Sequence, residues 1–501
     1  MKISATQLYD FVHCPHRVSL DVFGDPALRE EPNAFVELLW DHGLQHEERM
    51  VDALGIATNL RGLPIDEREQ ATLAAMSRGE PLIFGGRLTT DDKVGEPDLL
   101  QLDDDVGYLP GDIKSGGGFD GDAEHRKYKK TYAYQLAHYV DILKAKALGS
   151  GGATAFIIDG NATSVLYDLS LPQGVKNTQT WCDSYLAASQ NVQEIISKKR
   201  ETRPALAAPC KLCHWQSHCK SALVASDDLT LIAELGRSRR DTLNTRVATV
   251  SALAAADPST FIQGKKTVFP GIGPDSLLKF HARAKLLSTP GAAPYLKAPV
   301  SLPIAEKEVY FDIEADPMGG ILYLHGFVER LHGQPETARF IPFFASGNSA
   351  VDEETVFRQA WDYLQVRKSD SSIYYYSKYE RTAYKALAAK YPAVTTVETV
   401  DELFSDPVMI DLLYDVVLKA TEWPTVDRSI KTLAQYLGFQ WRDTNPSGAA
   451  SIEWYHRWLE CGDLEIKRRI LEYNEDDCLA TGVVVDGIRQ LCASGKPLDR
   501  G

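Results

Sequence analysis

No uninterrupted apolar run of eighteen residues occurs anywhere in the 501-residue chain, so no transmembrane span is expected. The stretch Met1–Asp10 has no apolar h-region, so no signal peptide is indicated and the cytoplasm is the expected compartment. There is no Gly-x4-Gly-Lys-Ser/Thr motif, which excludes a P-loop motor within the chain. Positive charge is in deficit: 54 Lys and Arg stand against 69 Asp and Glu, a net charge of −15. That balance argues against a simple cationic coat for a polyanion. It leaves open a site whose own carboxylates hold metal. The basic residues fall in short runs, at 125–130, 198–200, 237–240 and 265–266, each read as a solvated face. Cysteine is scarce, at eight residues, and disulfides are disfavoured in a cytosolic chain.

What is present is ordinary for a soluble protein, with 44% hydrophobic and 25% charged residues, and the length suits two to four domains. Ser4 to Arg17 reads as a short helix capped by Ser4 or Thr6. A helix over Asn33 to Leu54 carries Gly43-Leu-Gln-His-Glu-Glu48. Strands between Pro81 and Leu102 lead to a strand at Tyr108–Ser115, then the loop Gly116–Gly118 and a long helix over 123–147. Strands near 153–159 and 164–169 and a polar helix over 175–199 follow. Residues 227–303 shift to short amphipathic helices, with a Gly271-Ile-Gly273 turn that opens a helix bearing Lys279. Such a turn presents backbone N–H groups and a helix N-terminus, as a phosphate-binding element does; a plain helix–helix turn is the bland reading. Beyond Pro303, strands come first and helices after, which suits a layered α/β or α+β domain.

Two constellations carry chemistry. Asp112 and Lys114 lie two apart on one strand, so they share a face. Asp98, in Gly95-Glu-Pro-Asp98, can bring a second carboxylate. Asp98, Asp112 and the Ile113 carbonyl offer the oxygen ligands that Mg²⁺ or Mn²⁺ takes, and His46 adds a nitrogen. Gln135 and Tyr139, four apart on the following helix, share a face. Lys114 can stabilise charge on a phosphate. The bland alternative is a set of surface carboxylates and a packed histidine. In the last domain Asp312 and Glu314 are again two apart on a strand, and Tyr473 and Asp477 are four apart on a helix. Strand and helix carboxylates that clamp two ions, with a tyrosine to orient water, form a two-metal hydrolytic centre. Asp476, beside Asp477, is expected to face solvent.

Three of the eight cysteines, Cys210, Cys213 and Cys219, have C-x2-C-x5-C spacing, and Cys14, beside Pro15, is the expected fourth ligand. Four thiolates suit zinc or an iron–sulfur cluster, and spacing alone does not separate them. His214 and His218 are candidate ligands read in preference as surface residues, and Cys182, Cys461, Cys478 and Cys492 as packing residues.

The ordered set Gly43-x-x-His46, Gly95-Glu-Pro-Asp98, Gly111-Asp-Ile-Lys114 and Tyr134-Gln-Leu-Ala-His-Tyr139 resembles the RecB-like nucleases of the PD-(D/E)xK superfamily. With Cys14, Cys210, Cys213 and Cys219 it resembles their iron–sulfur subgroup, which includes AddB and the CRISPR spacer-acquisition nuclease. That likeness implies a [4Fe-4S] cluster. The Asp312/Glu314, Tyr473/Asp477 pattern and the Ser429–Gly438 segment resemble the tyrosine-type DEDD exonucleases of the RNase H-like fold, in the YprB-type branch, which cleaves from 3′ ends. That likeness implies a middle acid at Glu380, in Tyr375-Tyr-Ser-Lys-Tyr-Glu380, where the family usually has Asp, with Asp411 as the alternative. The expectation is an α/β multidomain protein. Residues 1–225 would form a PD-(D/E)xK, restriction-endonuclease-like domain with the Fe–S cluster, 226–304 a helix-hairpin-helix-like helical linker, and 305–501 an RNase H-like exonuclease domain. The resemblance implies a Mg²⁺- or Mn²⁺-dependent nuclease with two sites acting on DNA, single-stranded or at ends, with Gly271, Gly273 and Lys279 touching the strand. A separate helicase would supply the missing motor. The rivals are an RNA-processing exonuclease and a nucleic-acid-binding scaffold with degenerate sites.

Overall fold

The computed structural model describes residues 1–56, 58–103, 107–121, 126–149, 151–174, 177–444 and 447–494. The chain divides into two compact units, Met1–Pro204 with Ala208–Cys219, and Ala205–Ala207 with Lys220–Gly501.

The first unit is built on a six-stranded sheet of β1 (Thr58–Asn59), β2 (Leu82–Phe84), β3 (Leu99–Asp103), β4 (Gly107–Ile113), β5 (Thr154–Ile158) and β6 (Ser164–Asp168), in the order β6–β5–β4–β3–β2–β1. β4 runs antiparallel to β3, with Leu99 opposite Gly111, and parallel to β5, with Ile157 opposite Asp112. Gly111 is fixed by this pairing, because a Cβ there would lie 2.4 Å from the Phe156 ring. Helix α1 (Ala5–His13) starts with a capping box between Ser4 and Gln7, and α2 (Ala34–Leu54) is capped by Asn33. Helix α3 (Lys130–Ala145) buries Ala133, Leu136, Ala137 and Val140 with residues of α1 and α4 (Trp181–Ile196). Two expected helices start late. Lys127–Tyr128 pairs as a strand with Phe119–Asp120 before α3, and residues 122–125 lie outside the described residues. Pro172–Gly174 pairs with Asn177–Thr180, and Thr180 then caps α4; residues 175–176 lie outside the described residues.

In the second unit residues 226–304 are a packed subdomain rather than a linker. Leu229, Leu243, Val250, Leu253, Phe269, Leu277 and Phe280 form their own core. The two helices expected to flank a simple hairpin, Val250–Ala255 and α5 (Pro274–Ser288), are separated by a small β-hairpin, Ile262–Gln263 with Lys266–Thr267. Arg283 of α5 is fixed to the rest of the unit by a buried bidentate pair with Glu422, at 2.9 and 3.2 Å. Arg428 and Lys297 also bind Glu422, at 2.9 and 3.0 Å, and Tyr295–Leu296 pairs with Thr421–Glu422.

The remainder of this unit is a five-stranded sheet of β7 (Lys307–Asp316), β8 (Ile321–Leu331), β9 (Arg339–Phe344), β10 (Ser371–Tyr375) and β11 (Met409–Asp411), in the order β9–β8–β7–β10–β11. β7, β8 and β9 are antiparallel neighbours, and β10 and β11 run parallel to β7. The period-2 alternation of β7 sorts its side chains. Val309, Phe311 and Ile313 enter a core with residues of α6 (Ala350–Arg367) and α7 (Tyr379–Lys390). Each such burial contributes roughly 1.5–3 kcal/mol. Tyr310 enters the opposite core with Val484, Val485 and Ile488 of α10 (Leu464–Ala493), and Asp312 and Glu314 share its parity. Helices α8 (Ile430–Tyr436) and α9 (Gly448–Cys461) complete that face. Among the described residues no helix is long and apolar enough to cross a membrane.

Candidate functional sites

Alternation on β7 and the helical repeat of α10 bring Asp312, Glu314 and Asp477 together, and one carboxylate oxygen from each lies within 4.8 Å of the others. Asn474, one turn before Cys478 on α10, donates from Nδ2 to Asp312 Oδ2 at 2.8 Å. The approach requires glycine opposite Asp312 on β8, because a Cβ on Gly326 would lie 1.6 Å from Asn474 Oδ1. Trp441 Nε1 donates to Asp477 Oδ1 at 2.7 Å, and the Tyr473 hydroxyl also bonds Asp477. Lys431 of α8 donates to Tyr473 Oη at 3.0 Å, its ammonium 4.8 Å from the Tyr473 ring centre.

Burial and crowding push these acids up. Burial raises Asp312 well above the usual carboxylate range, and the charges of Asp477, Glu314 and Glu380 add to it. Burial, then Asp477, pushes Glu314 up to about 8, and burial raises Asp477 as well. The donor set fits a hard divalent cation. It consists of three converging carboxylates beside the buried Asn474 Oδ1, which has no hydrogen-bond partner. Glu380, the expected fourth acid, does not belong to the converging trio. It sits at the start of α7 with Oε2 buried and unpartnered, and burial, then Asp411, pushes it up to about 8. Asp411 caps the following turn by accepting from the Tyr414 N–H at 2.9 Å. Asp476 is not solvent-facing: it is 4% exposed and accepts from the backbone N–H and Nε of Arg442, at 2.8 and 2.9 Å. Asn474, Trp441 and Lys431 were not found by sequence reasoning. Only Asn474, one residue after Tyr473 on the same helix, offered a signal.

In the first unit a cavity of about 340 Å³ is lined by Asp98, Asp112, Lys114, Gln135 and Tyr139, together with Arg61 and Glu96. Asp98 Oδ2 accepts from the Ile113 N–H at 2.9 Å, and Lys114 Nζ lies 2.8 Å from Asp112 Oδ2. Burial, then the Asp112 charge, pushes Asp98 up to about 7. Burial alone would lower Lys114, but Asp112 and Asp98 outweigh it and hold the ammonium above its usual range. Burial raises the Tyr139 hydroxyl well above its range, with Asp112 and Asp98 adding to the shift. Gln135 Oε1 is buried without a partner and offers a further oxygen. His46 does not line this cavity. It is 3% exposed, and its ring faces Arg49, His42 and Asp159. The neighbouring Glu47 reaches the site instead, through Arg61, which lies 3.0 Å from Glu47 and 3.6 Å from Asp98.

The chain around the cysteines is tied together across nearly two hundred residues. His214 and Trp215 both bond Asp21 Oδ1, at 2.6 and 2.8 Å, and the Glu30 N–H donates to the His214 carbonyl at 2.7 Å. His214 is thus an anchoring residue rather than a surface one. Burial pushes the Cys213 thiol up, and Cys14 and Cys210 add to that shift, so the three face one another electrostatically. Cys461 and Cys492 are exposed rather than packed. Gly271 takes a positive φ of 76° and Gly273 caps α5, while the Lys279 ammonium lies 3.0 Å from Glu234.

No curated protein matches the chain. A family model of the RNase_H superfamily matches residues 309–488, the span that runs from β7 through Asp477. These residues form an RNase H-like domain.

Proposed function

We propose that the protein is a metal-dependent nuclease with two hydrolytic centres, acting on single-stranded DNA or DNA ends. The observation that carries this reading is the convergence of Asp312, Glu314 and Asp477 beside Tyr473, in the domain that matches the RNase_H superfamily. Asp312, Glu314 and Asp477 would hold Mg²⁺ or Mn²⁺, which polarises a phosphoryl oxygen and acidifies a water when bound. The protein's own groups set the geometry. Lys431 donates to the Tyr473 oxygen, so the phenol proton is left to donate toward Asp477 or a water beside it. Trp441 and Asn474 each hold one oxygen of Asp477 and Asp312, which fixes how the remaining oxygens face the site. Glu380, with its unpartnered buried oxygen, is the fourth acid of this proposal in preference to Asp411, whose Oδ1 already caps a turn.

The second centre comprises Asp98, Asp112, Lys114, Gln135 and Tyr139, and Cys14, Cys210, Cys213 and Cys219 would hold a [4Fe-4S] cluster that ties residues 14 and 210–219 together. The test is Mn²⁺-dependent cleavage of 5′- and 3′-labelled single strands. Asp112→Ala or Lys114→Ala should remove one activity and Asp312→Ala a separate 3′ activity. An unchanged product pattern in either set refutes that centre. RNA of the same sequence measures the preference for DNA, and a broad visible absorbance band in the purified protein tests for the cluster.

A further inference from the structure

Beside the RNase H-like site lies a second cavity, of about 380 Å³, whose wall includes Tyr473 itself together with Trp454 and the guanidinium-bearing Arg442, Arg457, Arg468 and Arg469. Four of these six residues lie on or are bonded to one helix: Arg468, Arg469 and Tyr473 belong to α10, and Arg442 binds Asp476 of that helix. The helical repeat places Arg469, Tyr473 and Asp477 in one row, so Tyr473, which lines the cavity, also borders the carboxylate site through Asp477.

The wall presents guanidinium groups backed by two buried aromatic rings. Arg469 lies over the Trp454 ring, 4.0 Å from its centre, and the Tyr473 ring meets Trp454 edge-on at 6.1 Å. Trp454 and Tyr473 are buried, so the face open to a ligand is the exposed Arg469 guanidinium, and a planar guanidinium stacks with nucleobases of any sequence. The four arginine side chains are 44–58% exposed and are held by carboxylates: Arg442 by Glu475 and Asp476, Arg457 by Glu453, Arg468 by Glu465 and Glu472, Arg469 by Asp443. The pairs of Arg468 with Glu465 and Glu472, and of Arg442 with Glu475, are open to solvent on both sides, and such pairs are weak. A phosphate oxygen can therefore replace a carboxylate on a guanidinium at little cost, and Arg presents a fork that matches phosphate.

We propose that this cavity is the strand-binding subsite next to the RNase H-like centre, holding the sugar–phosphate backbone and a base of single-stranded nucleic acid. The identity of the ligand rests on the nuclease reading above, but the binding it implies is measurable without cleavage. The experiment is fluorescence anisotropy of a labelled dodecameric single strand, DNA and RNA in parallel, with the full-length protein in EDTA across a salt series. Arg468→Ala/Arg469→Ala should raise Kd at least about tenfold and reduce the salt slope by about 1.4, two contacts at about 0.7 each. Arg457→Ala should show about half that change in slope. Arg358→Ala, an exposed arginine paired with Glu354, should match wild type. Unaltered Kd and slope in the double variant, or no binding by wild type, would overturn the proposal. A binding defect in a protein that cleaves nothing would uphold the subsite and refute the hydrolytic reading alone.

Discussion

Asp312→Asn should make the metal-free protein more stable, not less. The three carboxylates have oxygens within 4.8 Å of one another. At an effective dielectric constant of about 20, two unit charges at that distance repel by roughly 3.5 kcal/mol, and Asp312 has two such neighbours. Proton uptake by the trio relieves part of this repulsion, as the upward shifts of all three acids reflect. The net gain from the neutral amide is therefore smaller, about 1–3 kcal/mol, or roughly 3–10 °C in Tm for a unit of this size. The oxygen of the introduced amide can still accept from Asn474 Nδ2, so that hydrogen bond is retained. Differential scanning fluorimetry at pH 7 in EDTA, then with Mg²⁺ or Mn²⁺, measures both halves of the argument. The metal should raise the wild-type transition by an amount set by ligand linkage, about 2.7 kcal/mol at a hundred times Kd. It should raise that of the variant far less. A variant that melts below wild type in EDTA, or gains as much from the metal, refutes the claim that these acids await a cation.

Glu380 gives a pH test. Its folded value of about 8 lies above the ordinary 4.5, so between those values the folded state holds a proton that the unfolded chain has lost. Stability in EDTA should fall as pH rises through that window, by up to about 5 kcal/mol for this group, and Glu380→Gln should flatten the profile in urea titrations. Lys431→Met should lower kcat of the proposed 3′ activity by roughly 100-fold with KM little changed, the lower end of what one general acid–base contact contributes. Lys431→Arg should recover part of it, and a KM-only effect would show that Lys431 merely binds substrate. Glu422→Ala leaves Arg283, Arg428 and Lys297 without their shared carboxylate. Breaking a buried pair of this kind costs about 3–5 kcal/mol, to be read as an earlier unfolding midpoint in guanidinium.

The RNase H-like site was legible where local periodicity decides geometry. Asp312 with Glu314 follows from the strand repeat, Tyr473 with Asp477 from the helical one, and the packing of α10 on β7 joins the two pairs. Trp441, Lys431 and Gly326 were not legible, because each reaches the site through a tertiary contact that no local spacing encodes. Glu380 was chosen from its place in a motif; its charge acts on Asp312, and it also feels Asp411, a neighbour that no local spacing announces. His46 shows how a one-residue difference on a helix matters: about 100° of rotation turns Glu47, not His46, toward Asp98 through Arg61. Residues 226–304 read as a linker because their helices are short. Their shared core draws on side chains scattered from Leu229 to Ala284 and is invisible in any one window.

The three cations gathered on Glu422 have a practical corollary for anyone who wishes to cut this gene. A fragment begun at residue 305 would keep Glu422 and Arg428 but discard Arg283 and Lys297, and would uncover the edge that Tyr295 and Leu296 protect. The compact unit runs from Lys220 onward, so the small helical segment should be kept with the RNase H-like fold as a single exchangeable block.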